Sequence, residues 1–291
     1  YAATRGRPQG RKGKSMKIIF YGTRDYDHLY FDVLAADPDY GCTIKFLAAN
    51  LDPDTAQLAA GGDAVCAFVN SDCGAETLSV LAKAGIKLLL MRCAGYNNVD
   101  LAAAKANGIT VMRVPGYSPE AVAEHAMALL MELTRHAGAL DMQVKQGDWD
   151  GADGFELFGK KLGIIGLGGI GQTVAGIANA FGMKVSAWNS HVPAQVFENL
   201  NVTPVEDMNE LISNSDVVSV HMPLLDSTRG IITAKNLDAL RPGTLFVNTA
   251  RAEVIEPGAL LARLQRGDIP AALDVFDHEP LAADDPLCKI P

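Results

Sequence analysis

The sequence predicts an α/β protein that contains two doubly wound domains, each built on a parallel sheet. Its 291 residues are enough to form two separate hydrophobic cores. Short β-branched runs alternate with helical patterns along the chain, and strands separated by crossover helices form parallel sheets covered on both faces. We expect the domains to span residues 16–118 and 119–291.

Residues 1–15 lie outside this alternating pattern. They are rich in Gly, Arg and Lys, contain five basic residues and no acid, and have no apolar stretch typical of a signal peptide. We expect them to form a disordered leader before Met16. A basic arm for nucleic acid is less favoured, because residues 16–291 hold 20 basic and 34 acidic residues.

The first domain is predicted from five runs rich in β-branched and aliphatic residues. These runs are residues 18–21, 43–47, 64–69, 87–92 and 110–114. Ser118 then provides an N-cap and Pro119 a first-turn proline for a helix that runs to about His136. We expect the second domain to begin with this helix.

The second domain repeats the alternation after a polar, Gly-rich stretch at residues 146–159. Its predicted strands are residues 162–165, 184–188, 217–221, 245–248 and 271–275. Pro257 and Gly267 bracket the last helix, since proline favours the first turn of a helix and glycine the position after its end.

Composition excludes several classes of protein. A net charge of −9 disfavours nucleic acid as a partner, and no apolar run approaches the ~20 residues of a membrane helix. The five cysteines are scattered and form no C-x-x-C pair, which argues against a disulfide framework or a zinc site. We therefore expect a cytoplasmic protein without a bound metal.

Gly166, Gly168, Gly169, Ile170 and Gly171 belong to a segment, GLGGIG, that fits the G-x-G-x-x-G pattern. The segment follows an apolar strand and opens a helix. In that context the first glycine forms the turn, the second admits a pyrophosphate and the third allows helix and strand to pack. The pattern predicts a dinucleotide site, and the alternative is a tight turn without a ligand.

The residue at the tip of the next strand commonly selects the dinucleotide. Asn189 occupies this position, where an NAD enzyme usually has Asp or Glu. Its amide can accept a hydrogen bond from a ribose hydroxyl, and residues 189–192 contain no Arg or Lys that could bind a 2′-phosphate. We favour NAD as the cofactor and keep NADP as an alternative.

Three further segments carry a resemblance to a known family. They are RCAGYNNVD at 92–100, VPGYSPEAVAEH at 114–125 and NTAR at 248–251. Together with GLGGIG they resemble the D-isomer-specific 2-hydroxyacid dehydrogenases over residues 16–291, and the first half is most similar to the bacterial D-lactate dehydrogenases. The resemblance implies a flavodoxin-like substrate domain and a Rossmann dinucleotide domain that enclose a cleft, in a homodimer.

The same resemblance implies the reaction. NAD(H) exchanges a hydride with a small 2-ketoacid or D-2-hydroxy acid, with pyruvate and D-lactate as the expected pair. A phosphoglycerate, glyoxylate or hydroxypyruvate reductase of the same family is one alternative. A non-catalytic NAD(H)-sensing regulator that resembles the family's corepressors is another.

The resemblance also assigns the substrate residues. The backbone amides of Ala94 and Gly95 would hold the substrate carboxylate, and Tyr117 would either line the pocket or pack at the domain junction. Arg251 would bind the carboxylate and polarise the carbonyl, although it could instead cap a helix or form a surface ion pair. Glu279 would orient the catalytic histidine, or be one of many solvated acids.

The cofactor residues beyond the glycine segment follow from the resemblance in the same way. Asp274 would contact the nicotinamide, and His221 and Pro223 belong to a loop that flanks the cofactor. His221 could instead be a strand-end histidine whose ring bonds the backbone. Thr249 and Ala250 are the remaining residues expected to bind the cofactor.

The family's proton donor, a histidine, lies on a Thr-Pro-His-type segment beyond the block that contains Glu279. The sequence ends at Pro291 without such a segment, and none of its six histidines takes that position. We expect the sequence to be a fragment of a longer enzyme and to have little reductase activity by itself.

Overall fold

A computed structural model describes residues 15–188 and 192–290. Its contacts divide the chain into two compact units, the first ending at Tyr117 and the second beginning at Ser118. The predicted leader lies outside the described residues apart from Ser15. No helix among the described residues is long and apolar enough to cross a membrane.

Within residues 15–117, the first unit contains a five-stranded parallel sheet. Its strands are β1 (Met16–Phe20), β2 (Cys42–Phe46), β3 (Ala64–Ala67), β4 (Leu88–Met91) and β5 (Thr110–Arg113). Its α-helices are α1 (Asp25–Ala36), α2 (Ala75–Lys83) and α3 (Leu101–Ala106). The strand order β2-β1-β3-β4-β5 is the flavodoxin-like order.

Burial follows the position of each strand in this sheet. The inner strand β3 is buried at every residue, whereas the edge strands β2 and β5 contain no buried residue. A strand covered on both faces needs a continuous apolar run, and the sequence AVCA of β3 provides it. Tyr21, Leu78 and Leu89 are among the fully buried residues of the core beneath.

Within its described residues, the second unit contains a six-stranded parallel sheet. Its strands are β6 (Lys161–Ile165), β7 (Lys184–Trp188), β8 (Thr203–Pro204), β9 (Val217–Val220), β10 (Leu245–Asn248) and β11 (Ala271–Leu273). Its α-helices are α4 (Pro119–Arg135), α5 (Ala137–Lys145), α6 (Gly169–Ala180), α7 (Ala194–Asn199), α8 (Met208–Ser213), α9 (Ala234–Asp238) and α10 (Ala259–Leu264). The order β11-β10-β9-β6-β7-β8 is that of the Rossmann fold.

Alternate residues of the central strands enter two separate cores, one on each face of this sheet. Leu245 and Val247 of β10 pack with α4 and α6, whereas Phe246 between them packs with α8, α9 and α10. This division follows from the two-residue side-chain period of a strand. The predicted α/β class with two doubly wound parallel sheets is confirmed.

The ten predicted strands are all present, with ends that shift by up to two residues. The sequence did not predict β8 or α5. Ser118 does occupy the N-cap position of α4, but its side chain makes no capping hydrogen bond. His136 ends α4 in the left-handed conformation, with φ of 52°, and α5 begins at the next residue.

Candidate active-site residues

The turn between β6 and α6 requires glycine at its first position. Gly166 has φ of +100°, and a Cβ atom there would lie 2.7 Å from the backbone oxygen of His221. Its N–H donates to the Trp188 oxygen at 3.0 Å, which joins the turn to the end of β7. Any larger residue at this position would have to displace backbone rather than a flexible side chain.

The other two glycines of the motif have opposite surroundings. A Cβ atom on Gly171 would lie 2.2 Å from the Gly166 oxygen, so α6 packs directly against the turn. A Cβ atom on Gly168 would meet nothing within 4 Å, and one on Gly169 would meet only Pro119, at 3.8 Å. The backbone at Gly168 is therefore open to a ligand, while Gly166 and Gly171 hold that backbone in place.

The first turn of α6 leaves its N–H groups available. Gly169, Ile170 and Gly171 are the first three residues of the helix, and the first intrahelical bond runs from the Gln172 N–H to the Gly168 oxygen. No acidic side chain lies in this turn, and no side chain caps it. Free amides and a positive helix end make the turn suitable for a phosphate.

His221 follows β9 beside the glycine turn and is buried. Its Nε2 atom lies 2.8 Å from the Ser219 hydroxyl, whereas its Nδ1 atom has no hydrogen-bond partner among the described residues. Burial lowers the pKa of this imidazole to about 4, so the ring is neutral at physiological pH. The alternative of a histidine fully satisfied by backbone is therefore not what the structure shows.

The loop after β10 is held by the buried side chain of Asn248. Its Oδ1 atom accepts from the Ala250 N–H at 2.9 Å, and its Nδ2 atom donates to the Arg251 oxygen at 3.1 Å. The Thr249 hydroxyl is buried in this loop and, like His221 Nδ1, has no partner among the described residues. A buried polar atom without a partner is costly, so both atoms fit a site that a ligand completes.

Arg251 directly follows this turn and is partly buried. Its Nη1 atom donates to the Ala250 oxygen at 2.6 Å. Within the described part of the chain its side chain caps no helix and forms no ion pair. Neither alternative role for Arg251 is therefore present, and most of its N–H donors are available.

Asp274 lies just beyond β11. Its N–H donates to the Asn248 oxygen at 3.0 Å, and its Oδ1 atom lies 3.3 Å from Nε2 of His125 on α4. Glu279 is exposed and accepts from the Phe276 N–H at 3.1 Å. No histidine of the described residues hydrogen-bonds Glu279.

Pro223 lies in a loop that one buried threonine organises. The Thr228 hydroxyl donates to the Pro223 oxygen at 2.6 Å and accepts from the Leu225 N–H at 2.8 Å. These two bonds fix the chain that leaves His221. Asn189, predicted to select the dinucleotide, lies outside the described residues.

In the first unit, Ala94 and Gly95 follow the carboxyl end of β4. Arg113 donates to the Ala94 oxygen at 2.7 Å, and the Cys93 thiol donates to the Gly95 oxygen at 3.2 Å. The N–H groups of Ala94 and Gly95 make no hydrogen bond within the described chain. Two successive amides with fixed carbonyls can bind a carboxylate. Tyr117, at the end of this unit, is 64% exposed.

Sequence reasoning missed the environment of Arg92. Its guanidinium donates to the Tyr21 and Gly22 oxygens, both at 2.9 Å, and its carbon centre lies 4.5 Å and 4.8 Å from the ring centroids of Phe20 and Phe68. The buried carboxylate of Asp27 lies 3.8 Å from Nε of the partly buried Arg92. These partners come from other elements, so no local pattern around Arg92 indicates them.

Most of the predicted second-unit residues lie at one edge of the sheet. The glycine turn follows β6, His221 follows β9, Thr249 to Arg251 follow β10, and Asp274 follows β11. The carboxyl ends of parallel strands are where open α/β sheets bind ligands. The arrangement, with its two unpaired buried polar atoms, suits a dinucleotide.

Comparison with known proteins agrees with this arrangement. A family model described as "D-isomer specific 2-hydroxyacid dehydrogenase, NAD binding domain" matches residues 127–291. The chain is 37% identical to the D-lactate dehydrogenase of Escherichia coli K12, over 91% of this chain and 80% of that protein.

Two solved structures extend the comparison. The pyruvate reductase of Chlamydomonas reinhardtii aligns with a TM-score of 0.82 and 36% identity, over 95% of this chain and 83% of that one. D-lactate dehydrogenase from Aquifex aeolicus, complexed with NAD and lactic acid, aligns with a TM-score of 0.78 and 27% identity, over 94% and 84%.

These findings place the chain among the NAD-dependent oxidoreductases that act on hydroxy acids. The chain belongs to the D-isomer-specific 2-hydroxyacid dehydrogenase family. The predicted family and the choice of NAD as cofactor are confirmed.

The buried state of His221 predicts a specific pH dependence of stability. Because its pKa is about 4 when folded and near 6.5 when unfolded, the unfolded chain binds the extra proton between these values. The free energy of unfolding should therefore fall by about 1.4 kcal/mol per pH unit below pH 6.5. Urea unfolding of wild type and His221→Gln from pH 7 to 5 should show this slope only in the wild type. An imidazole NMR titration with a midpoint near 6.5 would contradict it.

Proposed function

We propose that this protein reduces a small 2-ketoacid to the D-2-hydroxy acid with NADH, and that pyruvate and D-lactate are the pair. The observation that carries the proposal is the contrast among the three glycines: Gly166 and Gly171 are packed, and Gly168 is open. The names of the relatives from E. coli and C. reinhardtii support the choice of substrate.

The cofactor would lie along the carboxyl edge of the second sheet. Its pyrophosphate would bind the N–H groups at Gly168 and the first turn of α6, and when bound the reduced nicotinamide supplies the hydride. Ala250 and Pro223 would line its path through their ordered loops. The unpaired atoms of His221 and Thr249 would each gain a hydrogen-bond partner.

In the first unit, the amides of Ala94 and Gly95 would bind the substrate carboxylate. In the second unit, the guanidinium of Arg251 would bind the substrate. Arg251 would also stabilise the negative charge that develops on the carbonyl oxygen. Tyr117 would contact the substrate. Glu279, with one carboxylate oxygen held by the Phe276 N–H, would orient the proton-donating imidazole that the family resemblance implies, a role that none of the six histidines of this sequence takes.

Replacing Gly168 tests the cofactor site without disturbing the fold. The residue has φ of −73° and ψ of −167°, which alanine adopts easily, so Gly168→Ala should leave the melting temperature unchanged. Its methyl group should weaken NADH binding by about 10- to 100-fold. Gly176→Ala is the matched control, because that position in α6 is equally open and should not affect NADH. Equal NADH affinity in both variants, measured by calorimetry, would refute the cofactor site.

Arg251 can be tested with oxamate, an unreactive isostere of pyruvate, bound to the NADH-loaded protein. Arg251→Lys should weaken oxamate binding by about 10- to 100-fold, because an ammonium cannot bind a carboxylate in the bidentate manner of a guanidinium. NADH affinity should not change. Arg266→Lys, in an exposed ion pair with Asp238, is the control. Unchanged oxamate affinity in Arg251→Lys would remove Arg251 from the substrate site.

We also propose that the protein is a cytoplasmic homodimer. Met142, Trp149 and Phe158 of the second unit are exposed, Trp149 at 81%, and such apolar surface favours a protein partner. The free cysteines suit a reducing compartment.

Light scattering should give twice the 30.9 kDa of one chain. A single-chain mass at micromolar concentration would contradict the dimer.

A further inference from the structure

Asp274 is held in the second unit through both its backbone and its side chain. Its backbone N–H bonds the Asn248 oxygen and so extends the pairing of β10 and β11 by one residue. Its side chain reaches His125 on α4, with 3.3 Å between Oδ1 and Nε2. One carboxylate oxygen is therefore occupied, and the other has no partner among the described residues.

His125 is fixed by the packing of its helix. Its neighbours Ala126 and Met127 are buried in the core that α4 shares with α6 and β10, so the backbone at His125 cannot shift without disturbing that core. The imidazole itself is about half exposed. At 3.3 Å, its Nε2 atom is close enough to Oδ1 of Asp274 to restrain the carboxylate.

We infer that His125 is a positioning residue for the nicotinamide end of the cofactor site. By holding Oδ1 of Asp274, it would leave Oδ2 facing the ligand, ready to accept an N–H of the nicotinamide carboxamide. An aspartate without this contact would have to lose rotamer freedom when the cofactor binds, and affinity would fall. The inference rests on the proposed function, which places the nicotinamide near Asp274.

ADP-ribose separates this role from the rest of the site, since it keeps the adenosine, pyrophosphate and ribose of NADH but lacks the nicotinamide. His125→Leu should weaken NADH binding by about 3- to 10-fold and leave ADP-ribose binding unchanged. His125→Gln should restore NADH affinity, because a glutamine amide can donate to Asp274. Glu124→Gln, at the exposed preceding position, is the control and should change neither affinity.

A double-mutant cycle identifies Asp274 as the group through which His125 acts. Asp274→Ala should weaken NADH and not ADP-ribose, and adding His125→Leu to it should cause no further loss. Two results would overturn the inference: NADH affinity that is unchanged in His125→Leu, or an equal loss of NADH and ADP-ribose. A wild-type protein that binds neither nucleotide would instead refute the proposed function, and the inference with it.

Discussion

The close packing of α6 on the turn that precedes it is the constraint on which the second unit depends. Because Gly171 lies against the Gly166 oxygen, and Gly166 against the backbone of His221, the start of α6 is fixed relative to both β6 and β9. β6 is also the strand at which the sheet order reverses, the place where doubly wound sheets bind ligands. These two steric contacts thus fix the N-terminal end of α6 at the sheet edge where His221, Thr249 and Asp274 follow β9, β10 and β11.

The order of the strands in the sheet determines which functional groups lie next to one another at that edge. In the sheet, β6, β9, β10 and β11 lie side by side in that order, with neighbouring strands ~4.8 Å apart. The groups that follow these strands therefore form a row about 14 Å long. The glycine turn, with its free N–H groups, lies at one end and the carboxylate of Asp274 at the other. The buried atoms without partners, on His221 and Thr249, lie between these ends. An extended ligand with a phosphate group near the turn and an amide donor near Asp274 would match this row, as the proposed binding of NADH requires.

How far the sequence predicts this structure depends on the range of each interaction. The glycine turn is mostly local, because its three glycines lie within six residues, and the sequence predicted both the turn and the close packing of α6 against it, although not the contacts of Gly166 with Trp188 and His221. Helix α5 was missed although Ala137, Leu140 and Val144 lie at helical spacing, because the segment is short and none of its residues is buried. Strand β8 has only two residues, one of them a proline, at a sheet edge. His125 and Asp274 lie near opposite ends of the second unit in the amino-acid sequence, so no local sequence pattern predicts their contact.

The surroundings of Arg92 and Arg251 explain why we propose Arg251 as the arginine that binds the substrate. Arg92 and Arg251 both follow the end of a parallel strand, and either cation could attract a carboxylate. Arg92 already donates to two backbone oxygens, stacks between two phenylalanine rings and faces the buried Asp27, so its charge is neutralised within the first unit. Arg251 uses one N–H on the Ala250 oxygen and pairs with no acid of the described residues. Since a guanidinium has five donors, only Arg251 retains a free face for an anion.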